Sequence, residues 1–229
     1  MTRLEVIQRI IDRKKGYSYL EIGIHDGKNF FRIKAKKKTA VDPKFIFSNA
    51  IKLKWCFKNF HNFFAKYYEI TSDSYFSKAD VKDAFDVVFV DGLHTYDQSK
   101  RDVLNSLERL NENGVIVMHD CNPQHYAAAY PAKSLGQAIN LNLPGWDGNW
   151  QGDVWKTICF LRSARKDLRV FVLDCDCGMG IITRGKSEGG LDLSEEDLTK
   201  MTFENFEENR KILLNLQDTS YLSQFLDRL

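Results

Sequence analysis

The stretch Tyr19–Phe30, YLEIGIHDGKNF, joins a short apolar run to an acid, Glu21, and then to two glycines, Gly23 and Gly27. A chain that passes from a strand towards a helix through glycines does so for one of two reasons. Either a tight turn needs a backbone conformation that glycine takes cheaply, or a ligand must reach the main chain where a Cβ would stand in its way. The flanking sequence decides what kind of fold holds this loop.

Upstream, Leu4, Ile7, Ile10 and Ile11 recur at helical spacing, with Gly16 as the expected stop. Tyr17–Ile22 then reads as a buried strand. Thr39–Val41, Tyr67–Thr71, Phe85–Val90 and Val115–Met118 read as further strands. The run FDVVFV has the unbroken apolar character of a strand covered on both faces. Arg169–Leu173 and Gly180–Thr183 form a final pair around the turn Asp174–Gly178, close enough in sequence to require antiparallel pairing. Helices separate most of these strands. One spans Tyr96–Asn111, with Val103, Leu104, Leu107 and Leu110 on one face and Asn113-Gly114 as its stop; another follows Asp153 as N-cap. The alternation predicts an α/β, Rossmann-like, doubly wound sheet of parallel strands ending in an antiparallel hairpin. After Leu191 the character changes. Ser194 with Asp197 resembles a capping box, and Phe206, Leu213 and Leu216 suggest a helix. The expected organisation is a main domain over residues 1–190 and a helical C-terminal extension over 191–229, packed on the same domain.

The length of 229 residues and a 43% hydrophobic, 28% charged composition suit one large globular domain. A net charge of +2 gives no domain-wide basic excess, so no nucleic-acid partner is expected. The basic run Lys34, Lys36, Lys37 and Lys38 reads as a solvated loop before a strand. Five cysteines, an odd number without zinc spacing, read as reduced thiols of a cytoplasmic protein, and Cys175-Asp176-Cys177 as a hairpin turn. No apolar stretch reaches the ~20 residues of a membrane span, so no membrane partner is expected. MTRLEVIQRI reads as an amphipathic helix, not a signal peptide.

The loop at 19–30 lacks the G-x-G-x-x-G of a dinucleotide site, and the chain has no G-x-x-x-x-G-K-[ST] phosphate loop. An acid at the strand end repels phosphate but suits a ligand with a positive centre. S-adenosylmethionine, with a sulfonium, an amino group and no phosphate, is such a ligand. Asp42, 21 positions after Glu21, stands where an acid accepts hydrogen bonds from ribose hydroxyls. Asp73 and Ser74, in the polar cluster Thr71–Ser74, stand at the next strand end, towards an adenine. The expected cofactor contacts are Glu21, Gly23, Gly27, Asp42, Asp73, Ser74 and Asp91.

These features together resemble class I S-adenosylmethionine-dependent methyltransferases. VFVDGLHTYDQSKRDV (88–103) followed by NGVIVMHD (113–120) is similar to small-molecule O-methyltransferases that act on sugars and natural products. The resemblance spans about residues 15–185 and implies a seven-stranded sheet. It also implies a divalent cation, Mg or Mn, held by Asp91, His119 and Asp120, with His94 as general base three positions beyond Asp91. His119 departs from the family, which generally has an acid there. An imidazole still ligates a metal but favours softer ions. An imidazole near its ordinary pKa of ~6.5 is free to take a proton from a weakly acidic hydroxyl.

Each of these residues also has a plainer reading. Asp91 could touch the methionine part of the cofactor, His94 could cap the helix at Tyr96, and His119 could be a packed core residue. GWDGNWQGD (145–153) could be a mobile lid with Trp146 and Trp150 as sugar platforms, or a loop anchored by them; His125, Tyr126 and Tyr130 could line the same mouth. The function expected is methyl transfer to a hydroxyl of a small molecule, a sugar included. The alternatives are N-methylation, a cation-free mechanism or a non-catalytic nucleoside-binding protein.

Overall fold

The structure, a computed structural model, describes residues 1–15, 17–78 and 83–229. It opens with α1 (Arg3–Arg13), capped by a reciprocal pair between Thr2 and Glu5. Gly16, the expected stop of this helix, lies outside the described residues. Then follow β1 (Ser18–Ile22), β2 (Lys37–Asp42), α2 (Asn49–Lys58), a 3-10 turn at Phe60–Phe64, β3 (Lys66–Glu69), α3 (Ser72–Phe76), β4 (Phe85–Val90) and α4 (Tyr96–Glu108). The chain continues through β5 (Leu110–Met118), α5 (Tyr126–Ala129), α6 (Leu135–Leu141), α7 (Trp155–Ala164), β6 (Leu168–Leu173) and β7 (Met179–Arg184). The last part holds α8 (Glu195–Lys200), α9 (Phe203–Leu214), β8 (Leu216–Gln217) and α10 (Tyr221–Asp227).

The strands form one sheet of eight in the order β3-β2-β1-β4-β5-β7-β6-β8. β1 lies parallel to β2 and β4, and β7 runs antiparallel to both β5 and β6, as the short turn requires. The sheet is thus the Rossmann-like α/β arrangement, with one strand more than the expected seven. Strand periodicity divides the core. Leu20, Ile22, Val88, Val90, Ile116 and Met118 face one side, under α4, α7 and α9. Tyr19, Val87, Phe89, Val115 and Val117 face the other, under α1 and α10.

Several boundaries differ from the sequence reading. α4 stops at Glu108, and Leu110 already belongs to β5; Asn113-Gly114 lies within that strand, where Asn113 takes φ +57. Asp153 does not cap α7. The cap position is Val154, and the Asp153 carboxylate accepts the Tyr96 N–H at 2.7 Å instead. Leu216 belongs to β8, parallel to β6, rather than to a tail helix. The tail also supplies Leu198, Phe206, Leu213 and Leu214 to the same core as the sheet. The basic run is not wholly solvated either. Lys38 is buried in β2, donating to the carbonyls of Phe30 and Ile33 and to Asn62 Oδ1, and burial lowers its pKa to about 7.

Candidate active site

In an open parallel sheet, ligands sit at the carboxyl ends of the strands where their order reverses. Here that point lies between β1 and β4, and a cavity of about 910 Å³ opens there. Its wall takes Glu21, Gly23, Asp42, Asp91, His94, His119 and Asp120 from the expected set. Gly27, Asp73 and Ser74 are not part of the wall. Gly27 packs against the Phe31 ring, and Asp73 points to Gln98 and Arg101 on α4.

Gly23 answers the question raised by the loop. It sits at φ +84, and a Cβ there would lie 2.0 Å from the Asp91 carbonyl oxygen. The glycine is demanded by the neighbouring strand end. It lets the loops after β1 and β4 close on each other, which brings Glu21 and Asp91 to one wall.

Glu21 is only 1% exposed, and its Oε2 accepts from Tyr19 Oη at 2.5 Å and Asn29 Nδ2 at 3.0 Å. Burial outweighs these two bonds and raises its pKa to about 7. Asp42 accepts the N–H groups of His25 and Lys44 at 2.9 and 2.8 Å, so it also fixes the turn that it ends. On the adenine side expected for Asp73 and Ser74, the wall carries Thr71, Ser72, Gln98 and Asp102. Asp102 is buried, receives a 2.9 Å hydrogen bond from Gln98, and is raised to about 6 by burial. Asp102 was missed in the sequence. Its available signal was an acid next to Val103 on the inward face of an amphipathic helix.

Beside this half of the cavity lies a cluster of charge. His94 Nδ1 donates to the Trp150 carbonyl at 2.6 Å, because a carbonyl can only accept. Its Nε2 therefore faces Asp120 at 3.1 Å and Asp91 at 3.5 Å. Burial opposes a charge on this ring, but Asp120, Asp91 and the Trp150 carbonyl prevail and raise its pKa to about 9. The ordinary value near 6.5 thus does not apply to the site as it stands. Nor does His94 cap α4, because Thr95 does. His119 is buried, with Nδ1 3.0 Å from Asp120 and 3.4 Å from Asp91, and Nε2 3.3 Å from Asp176. Burial again works against protonation, and the surrounding carboxylates again prevail. Asp120 turns back towards both rings from a left-handed conformation, φ +60.

Two members of this cluster were not expected. Arg3, at the start of α1, donates to Asp91 Oδ2 at 2.9 Å and to Asp176 Oδ1 at 3.0 Å. Asp176 lies in the predicted hairpin turn, and its pKa is lowered because His119 and Arg3 outweigh its burial. Their signal was faint: Arg3 looked like one charge on an amphipathic helix, and Asp176 like turn chemistry. The segment around Trp150 is an anchored wall. Trp150 is buried, and its Nε1 donates to the Tyr130 carbonyl at 2.8 Å. Gly152, at φ +61, packs so closely that a Cβ would meet the His94 carbonyl. His125, Tyr126 and Tyr130 do not line the cavity; His125 caps α5.

The donor set can be tested against a divalent cation. Asp91, His94 and Asp120 place one ligand atom each within 4.8 Å of one another. The buried His119 Nδ1 finds no aligned hydrogen-bond partner, although two carboxylates lie beside it. Separations of 3.0–3.5 Å between these donors are close to the ~3.0 Å edge of an octahedron with ~2.1 Å bonds. The residues fit such an ion.

Comparison with known proteins bears on the fold. Residues 20–121 match the family profile described as a methyltransferase domain. No curated protein matches. Among solved structures, the chain is similar to the O-methyltransferase TomG of Streptomyces achromogenes, involved in tomaymycin synthesis and solved with S-adenosylmethionine (13% identity, 80% of this chain and 79% of that one, TM-score 0.55). It is also similar to an O-methyltransferase from Bacillus cereus solved with S-adenosylhomocysteine (11% identity, 81% and 82% covered, TM-score 0.54). A third is the methyltransferase PaMTH1 of Podospora anserina, likewise bound to S-adenosylhomocysteine (18% identity, 81% and 80% covered, TM-score 0.52). At these identities the likenesses speak for the fold. The chain thus has the fold of these methyltransferases, and its match to a methyltransferase domain covers residues 20–121, less than half of its length. Among the described residues, no helix is long and apolar enough to cross a membrane.

Proposed function

We propose that the chain methylates a hydroxyl of a small-molecule acceptor, a sugar being one fitting class, with a divalent cation such as Mg or Mn assisting. The observation that carries this reading is the convergence of Asp91, His94, His119 and Asp120 in the same cavity as Glu21 and Asp42. The O-methyltransferase neighbours add support. S-adenosylmethionine supplies an activated methyl group, so the protein's task is in-line positioning of the acceptor.

Glu21 would bind the cofactor's ammonium, Asp42 its ribose hydroxyls, and Ser72 with Asp102 its adenine side. Asp73 and Ser74 keep at most a place behind that wall. His94 is the proposed general base. With Nδ1–H held by Trp150, the neutral ring offers its Nε2 lone pair to an acceptor hydroxyl and takes the proton as the O–C bond forms and the S–C bond of the sulfonium breaks, leaving the neutral thioether S-adenosylhomocysteine. Asp91 and Asp120 would hold the cation with His119, whose Nδ1 lies 3.4 and 3.0 Å from them, leaving the equally close His94 as base rather than ligand, and Asp91 would also border the methionine part of the cofactor. When bound, the ion lowers the pKa of the acceptor hydroxyl and offsets the carboxylate charge that now keeps His94 protonated.

A second reading rests on Arg3. Arg3, His94 and His119 can balance Asp91, Asp120 and Asp176 without any ion, which suits a cation-free mechanism or an amine acceptor. Methyl-labelled S-adenosylmethionine, offered with panels of sugars, phenols and amines, separates the two. Transfer to hydroxyls that chelation stops and Mg or Mn restores supports the first. Transfer to amines alone, or full transfer under chelation, refutes it.

A further inference from the structure

The net charge of +2 conceals a division of the chain. Residues 27–68 hold eleven of its 33 basic residues and one of its 31 acids, Asp42. The rest holds 22 basic residues against 30 acids, so a stretch of net +10 is set in a frame of net −8. The same stretch exposes apolar surface. Of the fifteen large hydrophobic side chains exposed among the described residues, seven lie between Ile46 and Phe64.

The local structure explains how this surface forms. α2 buries none of its residues. It is held by its Ser48 cap and by Trp55, whose ring stacks on Phe31 at 5.9 Å. Phe57 is left facing solvent, and the following 3-10 turn adds Phe60 at 72% and Phe64 at 79% exposure. Phe57 and Phe60 gather around Phe63, with centroids 5.8 Å and 6.1 Å from it. Lys54 and Lys58 stand exposed on the adjacent face of α2.

We propose that α2 and the turn after it form a docking face for an anionic phospholipid bilayer. Apolar rings enter the boundary between headgroups and acyl chains, while lysines around them meet lipid phosphates. Charge complementarity selects this occupant, because the face is basic and nearly free of acids. Single-stranded nucleic acid is also anionic, but it needs ring faces free to stack on bases. Here Phe60 and Phe63 turn one face each to the other at 19° and Phe57 meets Phe63 edge-on, so these rings form a cluster rather than separate platforms. Docking of this kind needs no membrane-spanning helix, and it would present the enzyme to acceptors dissolved in or carried on the bilayer.

The test uses the full chain and sedimentation with two kinds of vesicle: phosphatidylcholine alone, and phosphatidylcholine with roughly a third phosphatidylglycerol. Binding is expected to the anionic vesicles and to weaken with salt. Each basic side chain near such a surface strengthens binding about fivefold, so Lys54→Ala with Lys58→Ala should lose about 25-fold. Phe60→Ser with Phe64→Ser should also release the protein, while both pairs keep wild-type affinity for S-adenosylhomocysteine as proof of folding. Absence of binding to anionic vesicles overturns the proposal, as do variants that bind like wild type. Binding of a single-stranded oligonucleotide in place of vesicles, or a dimer that Phe60→Ser with Phe64→Ser dissolves, would reassign the face and overturn it too.

Discussion

Acidifying the solution from about pH 8.5 to about pH 5.5 should loosen S-adenosylhomocysteine binding roughly thirtyfold, about 2 kcal/mol. The reason is Glu21, whose pKa burial raises to about 7. With that pKa, only ~3% of the carboxyl is ionised at the acid end, and a ligand ammonium that needs the anion binds that fraction alone. The sign follows from linkage. The unliganded fold prefers the protonated acid, so Glu21 takes stability away as pH rises from about 4.5 through about 7. A cationic ligand prefers the anion, so affinity climbs through the same window and binding releases a proton. Calorimetric titration in two buffers of different ionisation heat measures both quantities. Glu21→Gln keeps an acceptor for Tyr19 and Asn29, and should bind weakly with a flat pH profile. A flat profile in the wild type would refute the reasoning. A slope that survives in Glu21→Gln would move the titration to Asp102, raised to about 6 on the opposite wall.

Asp42→Ala should cost S-adenosylhomocysteine about 1.5–3 kcal/mol by removing a charge-assisted bond to ribose; unchanged affinity in calorimetry would exclude Asp42 from the pocket. Exhaustive chelation should abolish turnover in the labelled-methyl assay and leave cofactor binding intact. His94→Ala should lower the transfer rate by ~10²–10⁴ while sparing cofactor affinity. Because Thr95 already caps α4, a fully active His94→Asn enzyme would leave positioning or the cation as the source of acceleration. Gly152→Ala should slow transfer as well, since its Cβ would push the His94 backbone from its place; wild-type kinetics in a folded variant would show that His94 needs no such fixing.

The sheet was legible because its strands carry their burial in consecutive residues. FDVVFV can be read without knowing its neighbours, and the short link between Leu173 and Met179 leaves only an antiparallel pairing. Boundaries failed where two signals competed. Asn113-Gly114 is ordinarily a helix stop, yet here the left-handed residue sits inside β5, after a strand that had already begun at Leu110. Leu216 continues the apolar spacing of α9, but Asn215 turns the chain at φ +46 and sends Leu216 to pair beside Val172. Pairing with a strand more than forty residues away leaves no local trace.

The site divides along the same line. Glu21, Asp42, Asp91, His94 and the pair His119-Asp120 could be found because topology alone brings the ends of β1, β2, β4 and β5 to one edge. The surroundings of Asp91, His94 and His119 could not, because they include groups from elsewhere in the chain. Arg3 reaches Asp91 across 88 positions, Trp150 fixes the His94 ring across 56, and Asp176 meets His119 across 57. An isolated histidine after a strand predicts a base near neutrality. The same ring between two carboxylates, with a carbonyl holding its other nitrogen, retains its proton until about pH 9. Whatever activates His94 must therefore first answer the carboxylates of Asp91 and Asp120. The same two acids that fit a divalent cation thus link the basicity of His94 to that cation.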